Sequence, residues 1–148
     1  MPRLILFAPA ERVIVDQKDN SLSLIGIMSG VRIQLVQADE HPPAEAAVPI
    51  RWSVLAVWRR EAGDEGRRFE QRVQLFLPGV NTSVFEIVAA VSSEGQPTNR
   101  VRNDIIGFQV ATPGVCRLVL SLREEGQAWR EISVYEMDLE HVQPNAPL

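Results

Sequence analysis

A chain of 148 residues, 45% of them hydrophobic, has enough apolar material for the core of one ordinary domain, expected over residues 1–148 with a frayed tail at 143–148. Its formal charge of -4 and pI near 5.2 offer no general attraction for phosphate backbones, and no stretch approaches the roughly 20 apolar residues of a membrane helix. Nucleic acid and membrane are therefore not expected partners, and the single cysteine, Cys116, excludes an internal disulfide framework and fits a reducing, cytoplasmic setting.

Ten prolines and nine glycines are spread along the chain, which suits many short elements joined by turns and leans all-β. The opening "MPRLILFAPAE" has the basic residue, apolar stretch and Ala-x-Ala of a signal peptide. Its uninterrupted apolar run, residues 4–8, is shorter than the roughly 7 to 15 residues of an h-region and is ended by Pro9, so a first strand is expected instead. "RLILFA" and "ERVIVD" read as two short strands, followed by "SLSLIGI" across a turn made by Asp19, Asn20 and Ser21. "MSGVRIQLV" puts Val31, Ile33 and Leu35 on one face, with Gly30 permitting a bend or bulge. "QADEHPPAEAA" has no strand pattern, and its Pro-Pro pair forbids a regular helix through the middle, so a long exposed loop is expected there.

"VPIRWSVLAVWRR" places Trp52, Val54, Ala56 and Trp58 on one face and Arg51, Ser53, Leu55, Val57 and Arg59 on the other. "RFEQRVQLFLPG" sets Phe69, Val73, Leu75 and Leu77 against Arg68, Glu70, Arg72 and Gln74, and stops at Pro78 and Gly79. A period of two marks a half-buried strand, because successive side chains point to opposite faces. The linking "EAGDEG", with two glycines and three acids, is expected as a solvated hairpin loop that pairs the two strands. "SVFEIVAAVSS" fits two templates: Ser83 and Glu86 have capping-box spacing, whereas Val84, Phe85, Ile87, Val88 and Val91 favour a strand, which is the reading preferred.

"RVRNDIIGFQVATPGVCRLVLSL" holds two alternating runs, with Ile106, Phe108 and Val110 on one face of the first and Cys116, Leu118, Leu120 and Leu122 on one face of the second. The intervening "ATPGV" has turn chemistry, so a hairpin is expected. In "REISVYEMDLEHV", Ile132 and Val134 differ in parity from Tyr135, Met137 and Leu139, which a bulge near Val134 would explain. Roughly eight to ten short strands, without a long helix or a fixed repeat, predict an all-β fold: a two-layer antiparallel β-sandwich, immunoglobulin-like or related.

The runs "LILFAPAERVIVDQKDNSLSLIGI", "RNDIIGFQVATPGVCRLVLSL" and "ISVYEMDLEHV" resemble a family of small, uncharacterised prokaryotic β-sandwich proteins, a domain of unknown function. The resemblance covers both ends of the chain. It implies the sandwich and carries no activity with it.

Chemistry-bearing patterns are sparse. His41 in the Pro-rich loop and His141 near the C-terminus are far apart in sequence, Asp39, Glu40 and His41 would hold an ion only weakly, and "DQKDN" lacks the oxygen spacing of a calcium loop. No metal and no cofactor is expected. Cys116 shares its face with three leucines and reads as a small buried hydrophobe rather than a nucleophile. There is no Gly-x-Ser-x-Gly elbow, phosphate loop or dinucleotide fingerprint, and Glu124 and Glu125 beside Gly126 read as a solvated turn. An enzyme with an unrecognised site is left as an alternative.

Two features point to binding. Trp52 and Trp58, about 20 Å apart along one strand face, fit the core, whereas Trp129 near "EEGQAW" is the better candidate for exposure. "NRVRND" offers Arg100, Arg102 and Asn103, beside Asn99 and Asp104, either as a polar contact surface or as a charged strand edge that discourages pairing. The function expected is a non-enzymatic protein-interaction module for an unidentified protein or a second copy of itself, with Arg100, Arg102, Asn103 and Trp129 as candidate binding residues. The alternative is a small-molecule or glycan-binding module using Trp129 or the "ADEHPPAEAA" loop.

Overall fold

The computed structural model describes residues 1–35, 46–92, 95–110 and 112–144, and all their regular structure is β. Nine strands follow in order: β1 (Arg3–Val15), β2 (Leu22–Ile27), β3 (Gly30–Gln34), β4 (Ala47–Arg59), β5 (Phe69–Phe76), β6 (Phe85–Val91), β7 (Thr98–Gln109), β8 (Gly114–Glu124) and β9 (Arg130–Val142). They form a four-stranded sheet in the order β2-β1-β4-β7 and a five-stranded sheet in the order β3-β9-β8-β5-β6. The first is antiparallel throughout, but β3 runs parallel to β9, so the second is mixed rather than antiparallel as expected.

The inward faces are those the alternation selected. Trp52, Val54, Ala56 and Trp58 from β4 join Phe69, Val73 and Leu75 from β5, Leu118, Leu120 and Leu122 from β8, and Met137 and Leu139 from β9. Each such aliphatic or aromatic side chain contributes about 1.5–3 kcal/mol by leaving water. Gln71 lies in the same row, fully buried, where its Oε1 accepts a 2.7 Å hydrogen bond from Trp58 Nε1. The segment from Phe85 is a strand, as preferred, paired with β5. The bulge in β9 falls at Ile132, between the Leu120↔Ser133 and Ser121↔Glu131 pairs, two residues before the expected position.

Two expected hairpins are absent. β4 and β5 lie in different sheets, as do β7 and β8, so "EAGDEG" and the "PG" turn are corners of the sandwich. Turn residues reverse the chain without specifying which strand receives it. The first corner is not merely solvated, because Asp64 is fully buried. Its Oδ2 accepts from the Glu61 N–H at 2.9 Å, and its Oδ1 lies 2.7 Å from the N-terminal ammonium and 3.8 Å from Arg67 Nη1. Burial pushes this carboxyl up, but the ammonium, the Glu61 amide and Arg67 together outweigh burial and hold it below the ordinary aspartate range.

"RLILFA" and "ERVIVD" are one continuous strand, β1. Pro9 is tolerated inside it because β2 ends at Ile27, opposite Ala10, so no strand carbonyl of β2 needs the missing Pro9 N–H. β2 and β3 are joined by only Met28 and Ser29, which cross between the sheets. Tyr135 Oη donates to the Met28 carbonyl at 2.9 Å, and the Asp138 N–H donates to the Ser29 carbonyl at 3.1 Å. Gly30 is where the two backbones come closest: a Cβ there would lie 2.5 Å from the Asp138 carbonyl oxygen.

β1 is paired with β4 for only part of its length. Its ladder with β4 runs from Arg3↔Arg59 to Ala10↔Ser53, and beyond Ala10 it pairs with β2 alone. Arg100 and Arg102 stand on the outward face of β7, opposite Val57 and Leu55. Arg100 Nη1 donates to the Asn20 carbonyl at 2.8 Å, and Arg102 Nη1 makes a longer contact, 3.5 Å, with the Val13 carbonyl. Residues well past Ala10 can reach them only if the β1–β2 ribbon doubles back across the outer face of the first sheet. Leu55, which points away from the core, is accordingly only 1% exposed, and Ala8, Ala10 and Val57 are buried as well. The middle of β4 is therefore buried on both faces rather than half-buried.

The "QADEHPPAEAA" loop up to residue 45, with Asp39, Glu40 and His41, lies outside the described residues, as do Ala111 in the "PG" turn and the tail from residue 145.

Candidate partner-binding groove

The departure of β1 leaves an opening. β4 stays paired with β7 as far as Ala47↔Gln109, while its ladder with β1 has already ended at Ser53. Residues 47–52 of β4 thus have no strand on their β1 side among the described residues. Where β1 and β4 diverge lies a groove of about 630 Å³, with Met28, Val31, Ile50 and Trp52 as its apolar lining and Glu11, Arg12, Arg32 and Arg51 as its charged lining.

Local sequence explains the shape. Val48 pairs with Phe108 and Arg51 with Ile106, so Pro49 and Ile50 together oppose Gly107 in a bulge, and Gly107 has φ +91°, a conformation glycine adopts without strain. A bulge is one of the few places within a sheet where a proline fits. The Gly107 carbonyl accepts from Trp52 Nε1 at 3.0 Å, and the Trp52 ring packs against Phe108 and Phe85 at centroid distances of 5.6 and 6.2 Å. The Trp52 side chain of the wall is thus held through both its N–H and its ring. Arg32 pairs with Glu140 at 3.1 Å, whereas the guanidinium groups of Arg12 and Arg51 make no ion pair or hydrogen bond among the described residues. Opposite Arg51 on the outer face stands Ile106, 75% exposed, and Ile27 and Ile25 are exposed on the ribbon side.

The residues singled out from sequence are dispersed. β7 is an edge strand, as the charged-edge reading of "NRVRND" requires. Arg100 and Arg102 hold the ribbon, and Arg102 Nε also lies 3.3 Å from Asp104, whose Oδ1 accepts from Ser53 Oγ at 2.7 Å. Asn103 faces the opposite way, into the sandwich, where its buried Nδ2 has no hydrogen-bond partner among the described residues. Trp129 lies on the other sheet, half-buried, with the Arg123 and Arg72 guanidinium carbons 4.2 and 4.7 Å from its ring. The structure does not assemble these four into one site.

Cys116 is buried, and burial, with a smaller contribution from Asp138, pushes its thiol up to about 11, leaving it protonated at neutral pH. Among the described residues no three His, Cys, Asp or Glu side chains converge as a metal site. Glu124 is less free than the solvated-turn reading holds: Arg67 donates to it at 2.6 and 3.1 Å, and this pair holds its carboxyl below the ordinary range.

Sequence reasoning missed Arg12, Arg32 and Arg51 because each occupies an unremarkable polar position in an alternating run. Pro49 was the available signal, since a proline inside such a run marks a bulge or an edge. No protein-family model and no curated protein matches the chain, so the chemistry of the groove is argued from its own geometry.

Proposed function

We propose that this protein is a non-enzymatic protein-interaction module that takes an extended segment of a partner into the groove beside residues 47–52, adding it to the first sheet where β1 departs. The observation that carries the reading is the unequal length of the two ladders on β4: one stops at Ser53, the other continues to Ala47. Backbone groups on an open strand edge supply affinity in strand addition, and side-chain pockets alongside supply selectivity. Here residues 50–52 of the edge line a groove with apolar and charged walls. Pro49 offers no N–H, which leaves the pairing to the residues on either side of it.

The test is selection of binders from a library of short extended peptides, followed by mapping of amide protection. Selected peptides are expected to slow exchange at residues 47–52, and methylation of alternate peptide backbone nitrogens is expected to abolish binding. A library that yields only binders protecting other strands, or no binder at all, overturns the reading. Light scattering over a range of concentrations identifies whether the segment comes from a second copy, since self-recognition makes the mass rise with concentration.

A further inference from the structure

The chemistry of the groove narrows what such a segment can be. Resting on the reading above, we infer that the partner segment carries carboxylate side chains alternating with apolar ones. Among the described residues, two guanidinium groups, of Arg12 and Arg51, flank the opening without any ion pair, and Glu11 is the only acid of the lining. Elsewhere on the same sheet, two arginines do meet carboxylates: Arg3 pairs with Glu61 at 2.9 Å, and Arg102 with Asp104 at 3.3 Å. Arginine presents a planar fork of donors suited to carboxylates, and its charge persists at every physiological pH.

The apolar half of the pattern follows from strand geometry. In an added strand, alternate side chains point to opposite faces. One set would meet Met28, Val31, Ile50 and Trp52, which present hydrocarbon, and the other would emerge beside Arg12 and Arg51. A basic segment would meet like charge there. A wholly apolar segment would leave the cations without new partners. The alternating acidic and apolar pattern is the one that complements both linings.

Three synthetic peptides of equal length, sharing the same apolar residues at alternate positions and differing only in Glu, Ser or Lys between them, distinguish the possibilities. The Glu peptide is expected to bind at least about tenfold more tightly than the Ser or Lys peptide, with affinity falling as salt rises from ~50 to ~300 mM. The double variant Arg12→Glu, Arg51→Glu is expected to reverse the order of the Glu and Lys peptides. Both residues are exposed, and an unchanged melting temperature establishes that the variant is folded. Equal binding of all three peptides, with protection at residues 47–52, overturns the carboxylate inference while leaving strand addition intact. Absence of protection there with every peptide overturns both.

Discussion

The outer faces of the two sheets deal with charge in different ways. On the second sheet, Arg123 meets Glu70 at 2.7 Å, Arg72 and Gln74 share Glu86 at 3.8 and 3.1 Å, Arg32 meets Glu140 at 3.1 Å, and Arg117 lies 5.4 Å from the Phe76 ring. Each exposed pair adds little to stability, but together they answer most of the arginines of that surface locally. On the first sheet, Arg100 and Arg102 reach backbone carbonyls of the folded-back ribbon, and, among the described residues, the guanidinium groups of Arg12 and Arg51 make no ion pair or hydrogen bond and Ile106 is the most exposed large hydrophobic residue. The difference teaches which surface is finished by the chain itself. The second sheet answers most of its arginines in place, whereas the first uses part of its own ribbon as a cover and leaves cations and an open β4 edge where that cover begins.

The largest expected effect tests the cover. Leu55→Ala should cost about 2–5 kcal/mol in urea unfolding, as at a core site, because the ribbon buries its outward-pointing side chain. Val134→Ala, at an outward position of the second sheet that is 39% exposed, should stay within about 0.5 kcal/mol. Equal costs at the two positions would remove the contrast between the faces.

Trp129→Ala should cost about 1–2 kcal/mol through loss of its two arginine contacts. In a double-mutant cycle, Arg123→Ala should cost less once Trp129 is gone, whereas strict additivity would mean that the ring and the guanidinium do not cooperate. Arg100→Ala should lower global stability by no more than about 1 kcal/mol yet speed amide exchange in residues 11–26, leaving β8 and β9 unaffected. An unchanged exchange rate in the ribbon would show that Arg100 is not a latch.

The smallest effect concerns the corner that joins the sheets. Because the Asp64 carboxyl is held below its ordinary value of 3.8, the folded state binds its proton less readily than the unfolded chain. Its contribution to stability is complete above that ordinary value and is lost as pH falls through it towards the lower folded value. Asp64→Asn should flatten that part of the acid unfolding curve, and an unaltered slope would show that the buried pair with the N-terminal ammonium does not form in solution.

The candidate site was less legible than the fold. Arg51 reads from sequence as one more polar residue opposite Trp52, and it gains meaning only because the β1–β4 ladder ends two residues away, at Ser53. Arg102 and Asn103 are adjacent in sequence and were grouped as one contact surface, but the strand period that identified β7 also sends them to opposite faces. Trp129, in the turn before β9, gives no local sign that arginines from β5 and β8 will engage it.

What the sequence by itself determined is the strand content, the β1–β2 hairpin and the composition of the core. Strand period and side-chain hydrophobicity are local properties, so the row Trp52, Val54, Ala56 and Trp58 could be assigned to one face before any partner strand was known. Only the tertiary structure decided that β5 and β8 would cross to the second sheet, that β3 would run parallel to β9, and that the ribbon would fold back and open the groove. The physical reason is that a strand's backbone hydrogen bonds are made with another strand, often distant in sequence. Turn chemistry commits the chain to reverse, and competition among all available edges and faces selects the neighbour.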